Sequence, residues 1–279
     1  MKRVGILYHP LNKAAGALAK ELQEFLSSGR ATVWLCSAWE EDKARAQVDD
    51  TDLILSIGGD GTILHAAQVV IPGVIPVTGV NLGKLGFMTE LGVDEVEAKL
   101  PALLAGGGWI DERAMLEVVF SPTDQQHKAS HVFYALNDMV VARGAIARVV
   151  YLETSIDGMS LATYKADGVI VATATGSTGY SLSAGGPILH PQAREFLLVP
   201  ILPHLRLVCP MVLPPATVVK LRVTTTHQAT LSVDGHMNLP LSNGDVITVK
   251  HSSNKVRFLR IHPGNSFYSS LGQRLRGDR

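Results

Sequence analysis

Thr51-Asp52-Leu53-Ile54-Leu55-Ser56-Ile57-Gly58-Gly59-Asp60-Gly61-Thr62-Ile63-Leu64-His65-Ala66-Ala67-Gln68-Val69-Val70 decides the fold. Its first part is a short apolar run that reads as a buried strand over 52–57. Its last part, 61–70, reads as a helix. Between them, glycines let the backbone turn and approach a ligand closely, and N–H groups at a helix start suit phosphate. Gly58, Gly59, Gly61 and Thr62 are therefore candidate phosphate-binding residues. A Gly-rich corner between a buried strand and a helix is where α/β sheets bind ligands. Asp60 is the unusual member. Bare phosphate binding gains nothing from a carboxylate among the donors, whereas a reaction needing a base beside a phosphate does. A tight turn with an Asx cap is the plainer reading of the same residues.

Working outward, strands and helices alternate on both sides of this corner. Strands are expected at 3–8, 31–35 and 74–77, and helices at 12–27, 40–47 and 93–104, the first carrying Leu18, Leu22, Phe25 and Leu26 on one face. Such alternation predicts an α/β domain over 1–108 with a Rossmann-like parallel sheet. Past Gly106-Gly107-Gly108 the texture changes. Runs at 113–120, 131–142, 147–156, 160–165, 168–173, 206–212, 217–224, 229–233, 246–250 and 255–261 are rich in strand-forming residues, and Asp157-Gly158 is a hairpin turn signal. A β-rich domain is expected over 109–261. The tail 262–279 is expected to pack back on the first domain or on a partner subunit.

Composition narrows the function classes. Of 279 residues, 46% are hydrophobic and 18% charged, enough for a sizeable core. The 25 basic and 25 acidic residues cancel, which argues against a general nucleic-acid binder. Cys36 and Cys209 stand in apolar surroundings and read as buried free thiols, in keeping with a reducing cytoplasm. The apolar run after Met1-Lys2-Arg3 stops at His9-Pro10, too early for a signal peptide, and no stretch is long enough to span a membrane.

Four further clusters offer chemistry. Asn81-Leu82-Gly83-Lys84-Leu85-Gly86-Phe87 is a Gly-punctuated loop in which Phe87 could stack on a base or ribose; a capped turn reads equally well. Asn137-Asp138 sets a donor–acceptor amide beside a pure acceptor, a pair suited to hydroxyls and exocyclic amines and also common in turns. From Lys165 to Pro187 a buried strand runs into small hydroxyl residues and glycines, able to shape a polar pocket. Val233-Asp234-Gly235-His236 reads as a hairpin turn or as a ligand-facing histidine. The chain carries no P-loop signature, no protein-kinase set, no complete dinucleotide fingerprint and no zinc array.

Together and in this order, these clusters resemble the NAD kinase family, over nearly the whole chain. The matching elements are Gly58-Gly59-Asp60-Gly61-Thr62, Asn81-Leu82-Gly83, Leu85-Gly86-Phe87, Asn137-Asp138, Ala166-Asp167-Gly168, Thr175-Gly176-Ser177-Thr178 and Asp234-Gly235. Lipid kinases and 6-phosphofructokinases share a similar Gly-Gly-Asp-Gly corner, whereas the Asp167–Pro187 run is specific. The resemblance implies NAD bound between the two domains and transfer of the ATP γ-phosphate, or polyphosphate in some members, to the 2′-hydroxyl of the adenosine ribose. It implies a divalent metal, usually Mg²⁺, and a homodimer or homotetramer.

Carried over residue by residue, Asp60 matches the catalytic base and Gly61 lies against the substrate. Phe87 matches an adenine contact, and Asn137 with Asp138 the pair that holds NAD, although many members have Glu in place of Asp138. Asp167 matches an acid that contacts the nicotinamide-side portion or a neighbouring subunit's ligand, and Arg148 and Lys165 fall where members often carry basic contacts. Thr175 and the segment Thr178, Gly179, Tyr180, Ser181, Leu182 and Ser183 line the site by the same resemblance; Gly179 stands for a usual Ala, and Ala174 for a usual Pro. His236 stands where many members have Gln, and His65 occupies a position that is sometimes basic. Two other readings remain open here: a lipid or sugar kinase of the same superfamily, and a non-catalytic dinucleotide-binding regulator.

Overall fold

The computed structural model describes residues 3–83, 86–123, 129–144, 148–204, 209–224, 227–264, 267–268 and 271–272. The chain divides into two compact units. One comprises Met1–Glu112 and Lys255–Arg279, the other Arg113–Asn254. Among the described residues no helix is long and apolar enough to cross a membrane.

In the first unit the elements are β1 (Arg3–Tyr8), α1 (Lys13–Ser28), β2 (Thr32–Ser37), α2 (Glu41–Arg45), β3 (Leu53–Ile57), α3 (Asp60–Val70), β4 (Val77–Asn81), β5 (Leu91–Gly92) and α4 (Val96–Leu104). The strands pair in the order β2-β1-β3-β4, all parallel, and β5 adds to β4 in the same sense. Asn12 starts α1 by accepting the N–H groups of Ala14 and Ala15. The apolar stripe of α1 (Ala15, Leu18, Ala19, Leu22, Leu26) then packs with Val96, Leu100 and Leu103 of α4 on the strand residues Val4, Ile6, Leu53, Leu55, Ile57 and Val80. The order reverses between β1 and β3, so the C-terminal end of β3 sits beside the switch point where open α/β sheets hold ligands. This is where Gly58–Thr62 falls.

The strand expected at 74–77 is displaced. It runs Val77–Asn81, with Val77, Thr78, Gly79 and Val80 opposite Ile54, Leu55, Ser56 and Ile57. Gly79 looks like a loop residue in the sequence, yet a Cβ there would meet the Ile63 side chain and the Thr89 backbone, so close packing of α3 on β4 requires it.

The second unit follows with β6 (Trp109–Ser121), β7 (His131–Ala135), β8 (Asp138–Arg143), β9 (Val150–Ile156), β10 (Met159–Ala166), β11 (Gly168–Ala172), α5 (Tyr180–Ser183), β12 (Phe196–Ile201), β13 (Met211–Leu213), β14 (Val218–Val223), β15 (Ala229–Val233), β16 (Met237–Leu241) and β17 (Val246–Arg260); β6 begins, and β17 ends, in the first unit. Six strands pair as β13-β12-β11-β8-β15-β16. Their inward residues Met139, Val141, Val169, Val171, Leu198, Leu231 and Val233 pack against Leu152, Tyr164, Val219, Leu221, Val223, Ile247 and Val249 in one core. Strand alternation turns the intervening residues to the opposite face. Val140, Ile170, Ala172, Leu197 and Val199 form a second apolar cluster there. Asp157 and Gly158 both take positive φ between β9 and β10, as their dipeptide predicts.

Three strands, β5, β12 and β16, have no counterpart in the expectations, and the runs at 246–250 and 255–261 are one strand, β17. Of the run expected at 206–212, residues 205–208 lie outside the described residues, and β13 begins at Met211. Cys36 is buried as expected but Cys209 is exposed: it follows the undescribed segment, ahead of β13, rather than lying within a strand. Most of the tail expected to pack back, 265–266, 269–270 and 273–279, lies outside the described residues.

Candidate active site

The first unit contributes a corner built from two loops. Gly58 takes φ +155° immediately after β3, and a Cβ there would strike Thr62. Gly59 then caps α3, and Asp60 opens it. The Asp60 carboxylate reaches across to the loop after β4, where Oδ2 accepts the Phe87 N–H at 2.9 Å and Oδ1 the Met88 N–H at 3.0 Å. Gly86 lies so close that a Cβ would run into the carboxylate. Thr89 closes the turn by accepting the Gly86 N–H at 2.7 Å, and Asn81 accepts from Gly83. Lys84 and Leu85 of the matched loop lie outside the described residues. Gly59 and Gly61 are exposed and Asp60 is partly exposed, so backbone and carboxylate are presented side by side. Phe87 is partly buried, whereas Thr62 is buried and turned toward Gly58.

His65, one turn further along α3, is not a solvated surface histidine. Its ring stacks on Trp39 at 4.3 Å, His9 also meets Trp39 at 4.6 Å, and the Nδ1 of His65 lies 2.8 Å from Glu41.

The second unit presents a pocket of about 530 Å³ on the outer face of the six-stranded sheet. Asn137, Asp138, Val140, Ala142, Tyr180, Thr230, Ser232, Asp234, Gly235 and Asn238 line it. Alternation explains the lining: Met139 and Val141 of β8 and Leu231 and Val233 of β15 point into the core, so Val140, Ala142, Thr230 and Ser232 face outward. Thr230, Ser232 and Asn238 were not among the expected site residues. The signal for the first two was small hydroxyl residues alternating with apolar ones on a strand; Asn238 lies on β16, which the sequence did not disclose.

Asn137 and Asp138 are fixed by backbone hydrogen bonds. The buried Asp234 accepts the N–H of Leu136 at 2.8 Å through Oδ2, and those of Asn137 at 2.7 Å and Asp138 at 3.1 Å through Oδ1. Asp234 and Gly235, both at positive φ, form the turn from β15 to β16. Thr173 donates its hydroxyl to the Leu136 carbonyl, and its N–H to the Asn137 carbonyl. A side chain at Gly176 would collide with that same Asn137 carbonyl, so the Thr175-Gly176-Ser177 turn can press against the pair only with glycine there. Burial, and then the neighbouring Asp234, push the Asp138 carboxyl up to about 7. Burial also pushes Asp234 up, against the three amides that favour its anion.

The other expected residues divide. Tyr180 lines the pocket, half exposed. Thr178, Gly179 and Leu182 are partly buried beside it in sequence, and Ser183 is exposed. Thr175 is buried and accepts from Arg113 at 3.3 Å, while Ser177 is spent on the Ala174 carbonyl and the Leu189 N–H. Ser181 is fully buried against Gly186, not on the pocket wall. Asp167 pairs with Arg143 at 3.1 Å. Lys165 is exposed, its ammonium 5.9 Å from the Tyr151 ring, and Arg148 is exposed ahead of β9. His236 is partly buried, its Nδ1 3.2 Å from the Asp234 carbonyl.

Comparison with known proteins bears on both regions. Sequence models of the ATP-NAD kinase N-terminal and C-terminal domains match residues 4–108 and 136–261. A protein of Dehalococcoides mccartyi named NAD kinase is 48% identical over 277 residues, covering 99% of this chain and 97% of that protein. One of Chloroflexus aurantiacus, with the same name, is 42% identical and covers 99% of each. Among solved structures, yeast NADH kinase complexed with NADH superposes with a TM-score of 0.84 at 27% identity, covering 100% of this chain and 88% of that one. An NAD kinase from Archaeoglobus fulgidus in complex with ATP gives 0.77 at 25% identity, covering 97% and 98%.

Proposed function

The chain belongs to the NAD kinase family and is a phosphotransferase that makes NADP from NAD and ATP; on that premise we propose which of its residues carry the reaction. Asp60 is the general base. It is the carboxylate at the Gly-rich corner, and two amides hold it in a single orientation. A ribose hydroxyl is a poor nucleophile, and a positioned base contributes roughly 10²–10⁴-fold by taking its proton. That fixed, partly exposed carboxylate among glycines is the observation that carries the reading. Gly58, Gly59, Gly61 and Thr62 form the phosphate side of the corner, and Phe87 borders it.

Asn137 and Asp138, with Thr230, Ser232, Asn238 and Tyr180, offer donors and acceptors to the hydroxyls and amines of the dinucleotide. Arg148, Lys165, Asp167 and His236 belong to the same proposal as outer contacts, as do Thr175, Thr178, Gly179, Ser181, Leu182 and Ser183 as the wall behind the pair. Phosphoryl transfer depends on alignment and charge neutralisation more than on covalent chemistry. A divalent ion, Mg²⁺ by preference, supplies neutralisation of the phosphate charge. Asp60 belongs to no cluster of three metal-ligating side chains among the described residues, and both of its oxygens accept amides. That donor set fits an ion held mainly through the nucleotide phosphates. Assembly as a homodimer or homotetramer is part of the proposal, as is a cytoplasmic setting. So is the division of labour between an α/β domain over 1–108 and a β-rich domain over 109–261, with the tail 262–279 packed back on the first domain or a partner subunit.

The test is product formation from NAD, ATP and Mg²⁺, read with an NADP-specific dehydrogenase, for the parent and for Asp60→Asn. The parent should turn over, and the variant should lose about 10²–10⁴-fold in kcat while NAD still raises its melting temperature. Full activity in Asp60→Asn would remove Asp60 from the role of base. Turnover with polyphosphate in place of ATP would extend the donor range.

A further inference from the structure

The last strand of the chain returns to the first unit carrying Arg260, which is buried together with Glu90 and Asp111. Its Nη1 donates to the Met88 carbonyl at 2.7 Å and lies 3.2 Å from Glu90 Oε2, while its Nε donates to Asp111 at 3.3 Å. Glu90 Oε1 accepts the N–H groups of Ile261 and His262 at 2.8 and 2.7 Å. The guanidinium therefore clamps the turn 86–90 from behind, and the front of the same turn supplies the Phe87 and Met88 amides to Asp60. Met88 is the hinge of this relay: its carbonyl is held by Arg260 and its N–H holds Asp60.

We propose that Arg260, through the Met88 carbonyl, is a positioning residue that fixes the orientation of the Asp60 carboxylate; this rests on the reading of Asp60 as the base. A buried ion pair is weak evidence for stability, since desolvation offsets much of its attraction. A fork-shaped donor that spans a carbonyl and two carboxylates is suited to geometry instead, and lysine cannot reproduce it. A carboxylate that wanders by an ångström loses rate without losing ligand affinity.

Arg260→Lys keeps a positive charge between Glu90 and Asp111 but not the reach to Met88. It should lower kcat by about 10–100-fold with KM for NAD and ATP held within about twofold. Thr89→Val leaves the ion pairs intact and frees the other end of the turn, at Gly86, so it should lower kcat in the same sense even where Arg260→Lys folds poorly. Combined with Asp60→Asn, neither substitution should cost further rate, because the group they position is already gone. Rates are taken per folded enzyme, from circular dichroism and melting. Unchanged kcat in folded Arg260→Lys and Thr89→Val overturns the proposal while leaving Asp60 as base. Losses that multiply onto Asp60→Asn also overturn it, since they mark a structural role alone. Full activity in Asp60→Asn removes its premise, and is distinguished by that single variant.

Discussion

Asp60 and Asp234 are each followed by glycine, and each gives its carboxylate to the backbone of a second loop. Among the described residues Asp60 takes the amides of Phe87 and Met88, and it remains partly exposed at the start of a helix. Asp234 takes three and is buried under the turn that presents Asn137 and Asp138. The same device thus yields two different things. Partly exposed, the first carboxylate is oriented in the way the proposed base requires. Buried beneath three amides, the second carboxylate is part of the scaffold, and the residues it holds, Asn137 and Asp138, line the pocket. Exposure, not residue type, separates the acid proposed to react from the one that holds the scaffold.

The sharpest way to break this contrast is to make one substitution at both places. Asp234→Asn sets an amide N–H₂ against a buried backbone N–H, because Oδ1 and Oδ2 both accept. It should cost about 3 kcal/mol and lower the melting temperature by about 6–12 °C, whereas Asp60→Asn should lose rate with a melting temperature close to the parent's. Equal thermal losses in the two variants would erase the distinction.

Gly86→Ala comes next in size. Its Cβ would displace the Asp60 carboxylate, so kcat should fall about 10–100-fold, near the cost expected of misplacing a reactive group. Steady-state kinetics should show this with KM for NAD little altered; an unchanged kcat would mean that the Gly86 turn yields and Asp60 keeps its place.

The smallest effect concerns Asp138, whose carboxyl titrates near 7 in the folded protein, against about 3.9 in the unfolded chain. Because the folded value is the higher one, its protonation stabilises the fold fully below the unfolded value, and that stability is lost as pH rises from about 4 to 7. Asp138→Asn keeps a neutral side chain at every pH. It should be more stable than the parent at pH 8 and differ little from it at pH 4, read as the difference between melting temperatures at the two pH values. A constant difference across that range would show that Asp138 does not carry the titration.

The legible parts of this molecule were local ones. Gly58–Thr62 announces itself because the strand before it and the helix after it are contiguous in sequence, and Asp157-Gly158 because a hairpin is a two-residue decision. What holds Asp60 was not legible, since Phe87 and Met88 contribute amides and any residue has one. Strand β12 stayed hidden behind Pro200, which faces Val169 of β11 on one side and lies beyond the reach of β13, paired only with Phe196–Leu198, on the other. Edge strand β16 was masked in the same way by Pro240. Ser177 and Thr173 resembled pocket hydroxyls, but small hydroxyl residues in tight turns also bond nearby backbone, and here Ser177 donates to the Ala174 carbonyl and Thr173 accepts the Gly176 N–H. Only the register of the six strands, a long-range property, sorts Thr230 and Ser232 to the pocket side.

The discontinuity of the first unit has a consequence for how the enzyme comes into being. Phe258 pairs with Val77, and Arg260 reaches Met88, across a separation that includes the entire second unit. Synthesis proceeds from the N-terminus, so a nascent chain has already made Asp60, its glycines and the turn 86–90 long before the strand that braces them emerges. Closing so distant a contact is entropically slow. The Gly58–Thr62 corner is therefore completed last although it is encoded early, and a chain halted before β17 would carry Asp60 and the turn 86–90 without the Arg260 contact to Met88.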